Sequence, residues 1–207
     1  MRFELKYYLT EKDYSRFVAV IHEHPAGFIR SFPTRKVNNI YLDSPDLDSW
    51  HETQYGLSAR KKYRIRWYGD WDALSNPALE IKIKENQLGS KEIYPLPSLQ
   101  WPVLNEEIEK MKSQFSLPEF LVVSATNSYT RSYFQSHCGI YRITIDRNLS
   151  FGSSFYGSIA PEVCSKWIVM ELKYDLINDD DSDWVKQFIP FQRSKFSKYV
   201  NSLGLVE

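Results

Sequence analysis

Lys61-Lys62-Tyr63-Arg64-Ile65-Arg66-Trp67-Tyr68 is the stretch that decides how this chain folds. Side chains alternate across an extended strand, so Lys62, Arg64 and Arg66 share one face while Tyr63, Ile65 and Trp67 share the other. The same two-sided pattern recurs along the chain. Arg2, Glu4 and Lys6 oppose Phe3, Leu5 and Tyr7; Glu80, Lys82 and Lys84 oppose Leu79, Ile81 and Ile83. Arg142, Thr144 and Asp146 oppose Tyr141, Ile143 and Ile145, Glu171 and Lys173 oppose Met170, Leu172 and Tyr174, and Arg131 stands between Tyr129 and Tyr133. Any one such strand reads as part of an open sheet with its charged face in water. Repeated faces that are almost wholly ionic, and lean basic, predict a different arrangement. Eight strands are expected, over 2–9, 36–43, 60–68, 77–84, 90–96, 128–136, 139–147 and 167–175. They form a mainly β (α+β) fold, an eight-stranded antiparallel closed β-barrel with the charges inward and helices packed outside.

Those helices are expected over 11–24, with Thr10 as N-cap, and over 103–115, where Leu104, Ile108 and Met111 fall at helical spacing. The tail, 184–189 and 192–203, reads as helical or irregular. Neither a repeat nor a linker interrupts the 207 residues, so they are expected to form one domain, 1–207.

Composition narrows the function. The chain has 26 basic and 26 acidic residues and no net charge, which argues against a general nucleic-acid coat. Cys138 and Cys164 are too few for a disulfide framework, no apolar run could span a bilayer, and the N-terminus lacks a signal-peptide pattern. A cytoplasmic location with no membrane segment is therefore expected. His22, His24, His51 and His137 lack metal-ligand spacing, and Asp179-Asp180-Asp181 lacks the spaced ligands of a calcium loop. There is no glycine-rich phosphate loop, so any phosphate recognition must come from side chains. Crowded cations inside a barrel repel one another by several kcal/mol unless an anion neutralises them. A polyanion along the axis supplies that neutralisation, and guanidinium forks suit phosphate oxygens best. Glu4, Glu80, Asp146 and Glu171 are hard oxygen ligands suited to Mg²⁺ or Mn²⁺.

A further set of residues carries a family resemblance. Arg2-x-Glu4-x-Lys6-Tyr7, Ile40-Tyr-Leu-Asp43-Ser44, Lys62-Tyr-Arg64-Ile-Arg66-Trp-Tyr68-Gly69 and Leu79-Glu80-Ile-Lys82 occur in this order. Arg142-Ile-Thr-Ile-Asp146, Met170-Glu171-Leu-Lys173-Tyr174 and Phe196-Ser197-Lys198-Tyr199 follow. The series resembles the VTC domain, the polyphosphate-polymerase module of the triphosphate tunnel (CYTH-like) superfamily, from Arg2 to about Leu203. Arg2 replaces the first Glu of the superfamily's Glu-x-Glu-x-Lys opening, as in the VTC variant. Tyr41 and Asp43 match a recurrent family motif and read as structural.

The resemblance implies metal-dependent phosphoryl transfer on triphosphate-containing substrates, in the polymerase branch the synthesis of polyphosphate from ATP. It implies phosphate contacts from Lys6, Arg64, Arg66, Lys82, Arg131 and Arg142, and from Lys195, Ser197 and Lys198 near a tunnel mouth. The basic faces add Arg2, Lys62 and Lys173 to that set. Glu171, with Glu4 and Glu80 as further candidates, would hold Mn²⁺ or Mg²⁺. Glu171, Lys198, Arg64 and Arg66 are the expected catalytic residues. An inorganic or nucleoside triphosphatase would use the same residues with water as acceptor, and a non-catalytic polyphosphate-binding module would keep the tunnel without turnover. The expected ligands are ATP or another triphosphate and polyphosphate, not nucleic acid. With neither a phosphate-sensing domain nor a membrane segment in these residues, a stand-alone version is expected.

Overall fold

Alternating polar and apolar residues organise the described residues into nine antiparallel strands, eight of which close a ring. The computed structural model describes residues 2–86, 88–154 and 158–204. The strands are β1 (Arg2–Thr10), β2 (Ile29–Asp43), β3 (Ala59–Tyr68), β4 (Ala78–Glu85), β5 (Leu88–Pro95), β6 (Val122–Gln135), β7 (Arg142–Ser153), β8 (Ser158–Cys164) and β9 (Trp167–Asp175). Their order is β6-β2-β3-β4-β5-β1-β9-β7-β8, and pairing of β6 with β7 closes the circle, leaving β8 as a ninth strand on the outside of β7. β1 and β9 pair along nine successive positions, from Arg2↔Asp175 to Thr10↔Trp167. Among the described residues β1 and β5 meet at one pair, Arg2↔Gly89.

The strand count exceeds the expected eight because β8 carries no alternation and contains Pro161. Its presence is written instead at Gly152 on β7, where a Cβ would collide with the carbonyl oxygens of Ile159 and Ala160. Only glycine lets the β8 backbone approach so closely. β2 and β7 are also longer than expected.

Among the described residues five α-helices accompany the ring: α1 (Tyr14–Glu23), α2 (Asp48–Gln54), α3 (Leu104–Gln114), α4 (Asp183–Lys186) and α5 (Lys198–Leu203). Thr10 does not cap α1 directly. Its N–H and hydroxyl both donate to the Asp13 carboxylate, at 3.2 and 2.7 Å, across a 3₁₀ turn, and the α-helix begins one residue later. α1 presents Phe17 and Ile21 to an outer core built with Tyr7, Ile143, Ile145, Met170 and Leu172. α3 lays Leu104, Ile108 and Met111 on a second outer core with Ile40, Ile65, Trp67 and Leu79. Burying each such side chain contributes roughly 1.5–3 kcal/mol, which keeps the apolar strand faces outward against helices and the ionic faces inward. Inside the ring a smaller apolar cluster of Val37, Tyr129, Leu149, Phe151, Val169 and Phe196 adjoins the charges, so the interior is not ionic throughout.

Candidate functional site

The interior is a network of ion pairs in which each carboxylate holds more than one cation. Glu80 on β4 receives Arg64 Nε at 2.7 Å and Arg64 Nη2 at 2.5 Å, with Arg66 Nη1 at 3.5 Å and Lys91 Nζ at 2.8 Å. Asp146 on β7, fully buried, accepts Arg131 through both oxygens at 2.6 and 2.7 Å and Lys198 Nζ at 2.5 Å. Glu171 on β9 faces Lys173 at 2.6 Å, Arg131 at 3.6 Å, and Lys6 and Lys198 each at 3.7 Å. Glu4 on β1 binds Lys82 at 2.9 Å and Lys6 at 3.2 Å.

This geometry sets the protonation states. Burial alone pushes the Glu171 carboxyl up, but Lys173, Lys198, Lys6 and Arg131 outweigh it and hold the group well below the usual carboxylate range. Glu4 is likewise raised by burial and by Glu171, yet Lys82, Lys6 and Lys173 keep it well below its ordinary value. Lys62 lies in the opposite condition. Burial, then the like charges of Lys6, Lys82, Arg60 and Arg64, bring its ammonium down to about 6. Its Nζ reaches the Ser197 hydroxyl at 3.3 Å and no carboxylate among the described residues. Lys82 is brought down to about 8, chiefly by burial, with Glu4 opposing.

α5 supplies the last parts of the site. Ser197 caps it by accepting the Val200 N–H at 3.4 Å, which orients its hydroxyl toward Lys62. Tyr199 donates to Asp43, and its ring stacks on Tyr41 at 4.8 Å between centroids. Asp43 in turn accepts the N–H groups of Ser44, Ser49 and Trp50, fastening the start of α2. These contacts fix the end from which Lys198 enters the interior.

The structure joins Glu4, Lys6, Lys82, Arg131, Asp146, Glu171, Lys173 and Lys198 in one ion-pair network, sets Arg64, Arg66 and Glu80 in a second that Tyr129 bridges to the first, and places the Lys62–Ser197 pair beside them. Three expected positions stand apart. Arg2 lies exposed at the rim, on Asp175 at 2.8 Å. Arg142, half-buried, sits opposite Lys173 with no ion-pair partner among the described residues. Lys195 is exposed on the irregular segment before α5. Four residues that join these contacts went unrecognised in sequence. Lys91 holds Glu80, the Tyr129 hydroxyl accepts from Arg66 at 3.1 Å, and Asn39 accepts from Arg66 at 2.9 Å while donating to Asn127 at 2.8 Å. Only cross-strand pairing with the arginine-bearing strands could have flagged them.

Among the described residues three buried side-chain atoms, Trp101 Nε1, Asn127 Nδ2 and Thr144 Oγ1, have no hydrogen-bond partner, and the last two belong to the interior. Thr144 is the cross-strand neighbour of Glu171, so its hydroxyl adds an oxygen donor beside that carboxylate. No group of three or more His, Cys, Asp or Glu side chains among the described residues is arranged as a metal cage. Mg²⁺ does not need one, since it is commonly held by one or two carboxylates together with substrate phosphates. Glu4 and Glu171 fit that requirement, because Lys6 already places one cation between them. The oxygens of Glu80 and Asp146 are instead engaged by arginines.

A closed ring of eight antiparallel strands, with cations and carboxylates turned inward, defines a tunnel protein. Solved structures share that fold across their length. A candidate adenylate cyclase from Vibrio parahaemolyticus is 15% identical with a TM-score of 0.56, covering 98% of both chains. A candidate adenylyl cyclase from Hippeastrum, described as having a dominant triphosphatase activity, is 12% identical with a TM-score of 0.54, covering 100% of this chain and 97% of its own. A conserved hypothetical protein from Pyrococcus furiosus is 12% identical with a TM-score of 0.54, covering 95% of this chain and 97% of its own. The sequence matches no curated protein. The family model of the VTC domain matches residues 1–206, and the chain belongs to that family. No helix among the described residues is long and apolar enough to cross a membrane.

Proposed function

We propose that this protein is a metal-dependent phosphotransferase that acts on triphosphates and synthesises polyphosphate from ATP. One observation carries the reading: Lys62 is half-buried among cations, with a hydroxyl and, among the described residues, no carboxylate to answer it, inside a ring whose carboxylates are already engaged. A polyanion resolves that imbalance. Membership of the VTC family supports triphosphate chemistry as its source.

In this reading Lys6, Lys62, Lys82, Arg64, Arg66 and Arg131 bind and align the phosphates, with Lys173, Arg142, Ser197, Lys198 and Lys195 along the path and Arg2 at its rim. Phosphoryl transfer asks little covalent help of the protein and depends on alignment and neutralisation of the equatorial oxygens. Lys198, Arg64 and Arg66 carry the charge that develops during transfer. Glu171 and Glu4 would hold Mg²⁺ or Mn²⁺, while Glu80 balances Arg64 and Arg66. The metal, when bound, supplies neutralisation of the phosphate oxygens and a template for the in-line arrangement. Arg2, paired with Asp175 at the rim, brings no carboxylate to the interior, which favours the polymerase reading over hydrolysis. Incubation with ATP and Mn²⁺ or Mg²⁺, followed by separation of phosphate chains by length, tests it. A ladder of polyphosphate is expected; release of orthophosphate alone makes the protein a triphosphatase, and no turnover leaves a binding module.

A further inference from the structure

The inner face of β2 continues beyond the ion-pair cluster. Register shifts between Arg30 and Phe32, and between Phe32 and Arg35, set Phe32 opposite Tyr133 and Arg35 opposite Arg131. Tyr133 and Arg131 are two residues apart and share a face of β6. Phe32 and Arg35 are three apart, so simple alternation would put them on opposite faces, and the shifts turn both toward the same one. Pro33 falls inside the shifted stretch, where a residue without an N–H can be accommodated. The Arg35 guanidinium lies 4.4 Å from the Tyr68 ring centroid, 4.8 Å from Tyr133 and 5.7 Å from Phe32. Phe32 and Tyr133 meet edge to face at 5.9 Å. Phe32 is 57% exposed and Tyr68 43% exposed, so their rings are open to a ligand. Tyr68 is also two residues beyond Arg66, on the same face of β3. Beyond Arg66 and Arg131, therefore, the cationic interior gives way to three rings around a guanidinium.

We propose that Phe32, Arg35, Tyr68 and Tyr133 form a platform on which the base of a nucleoside triphosphate stacks while its phosphates lie among the interior cations. The inference rests on the triphosphate reading above and adds which end of the substrate lies where. A ligand that engages both surfaces must join a polyanionic chain to a flat π-system, which is the chemistry of a nucleotide. Aromatic rings and guanidinium planes stack on any base, because every base has a π-face. The platform thus selects nucleotides over inorganic phosphate chains and favours purines by their larger area.

Affinities for ATP and for inorganic tripolyphosphate, measured without metal at low ionic strength, test the proposal in the full chain. Phe32→Leu/Tyr68→Leu removes two π-faces from exposed positions and keeps apolar bulk; Tyr68→Phe keeps its ring. The wild type is expected to prefer ATP. The double variant should lose on the order of tenfold in ATP affinity, with tripolyphosphate binding unchanged, and Tyr68→Phe should retain the preference. Equal losses for both ligands, an undiminished ATP preference in the double variant, or a wild type with no preference would each overturn the platform while leaving the phosphate site standing. If the wild type binds neither ligand, the triphosphate reading falls and takes the platform with it.

Discussion

Lys62 on β3 and Ser197 at the cap of α5 meet at 3.3 Å, so a half-buried amine is answered by a hydroxyl where Lys6, Lys82, Lys173 and Lys198 find carboxylates. The pairing predicts a proton linkage. With the group brought down to about 6 in the free protein, Lys62 is largely neutral at pH 7.5. A bound triphosphate stabilises its charged form, so binding takes up close to one proton at that pH. Affinity should weaken as pH rises above about 6 and level off where Lys62 stays neutral even in the complex. Calorimetry in two buffers of different ionisation enthalpy reads the uptake, and Lys62→Met should remove most of it. The sign for folding is opposite. The unfolded chain binds the proton more tightly, so this group makes the free protein more stable as pH climbs from about 6 toward the ordinary lysine range.

Glu171→Gln keeps the size of a side chain that faces four cations but removes its charge. Metal-dependent turnover is expected to fall at least ~100-fold, or roughly 2.7 kcal/mol of transition-state stabilisation. Tripolyphosphate binding without metal should persist or tighten, because Lys6, Lys173, Lys198 and Arg131 lose a competing anion. Full metal-dependent activity in the variant would move the metal assignment to Glu4.

Arg66→Ala has a contrasting signature. The guanidinium holds Asn39, Tyr129 and Glu80, and its proposed phosphate contact is charge-assisted. Its loss should weaken tripolyphosphate binding by about 1.5–3 kcal/mol with or without metal. Unchanged metal-free affinity would exclude Arg66 from the phosphate path.

Asp146 and Arg131 form the most deeply buried bidentate pair of the interior. Asp146→Asn leaves Arg131 and Lys198 without their principal counterion and should destabilise the fold by roughly 3–5 kcal/mol, read by denaturant unfolding. Adding tripolyphosphate should restore a larger part of that loss than it adds to the wild type, since the ligand supplies the missing charge. A variant as stable as the wild type would show the pair to be dispensable.

β1, β3, β4 and β9 were legible in the sequence because their alternation is strict: ionic residues every second position, with Ile, Leu, Trp or Met between. α3 was legible through Leu104, Ile108 and Met111. α2 was not, because Asp48–Gln54 is short and polar and is fastened from outside by the Asp43 carboxylate rather than by an apolar stripe. The first half of β2 was hidden by Pro33 and by the shifts that break its period. Within the site, charged residues on strictly alternating strands announced themselves. Asn39, Asn127 and Tyr129 are neutral, and their participation follows from strand pairing across long sequence separations.

Among the described residues Arg2 and Gly89 form the one pair that joins β1 to β5, whereas nine pairs join β1 to β9 on its other side. The ring therefore resembles a bracelet with one clasp. Cooperative opening is easiest where few backbone hydrogen bonds must break together. Amide hydrogen exchange at Gly89 and Ser90 should be fast beside that along the β1–β9 ladder, and a polyanion drawing the interior cations inward should slow it. If the clasp exchanges as slowly as the ladder, the ring admits its ligand only through its ends. If it exchanges quickly, a long phosphate chain can be laid into the ring sideways, without first presenting a terminus.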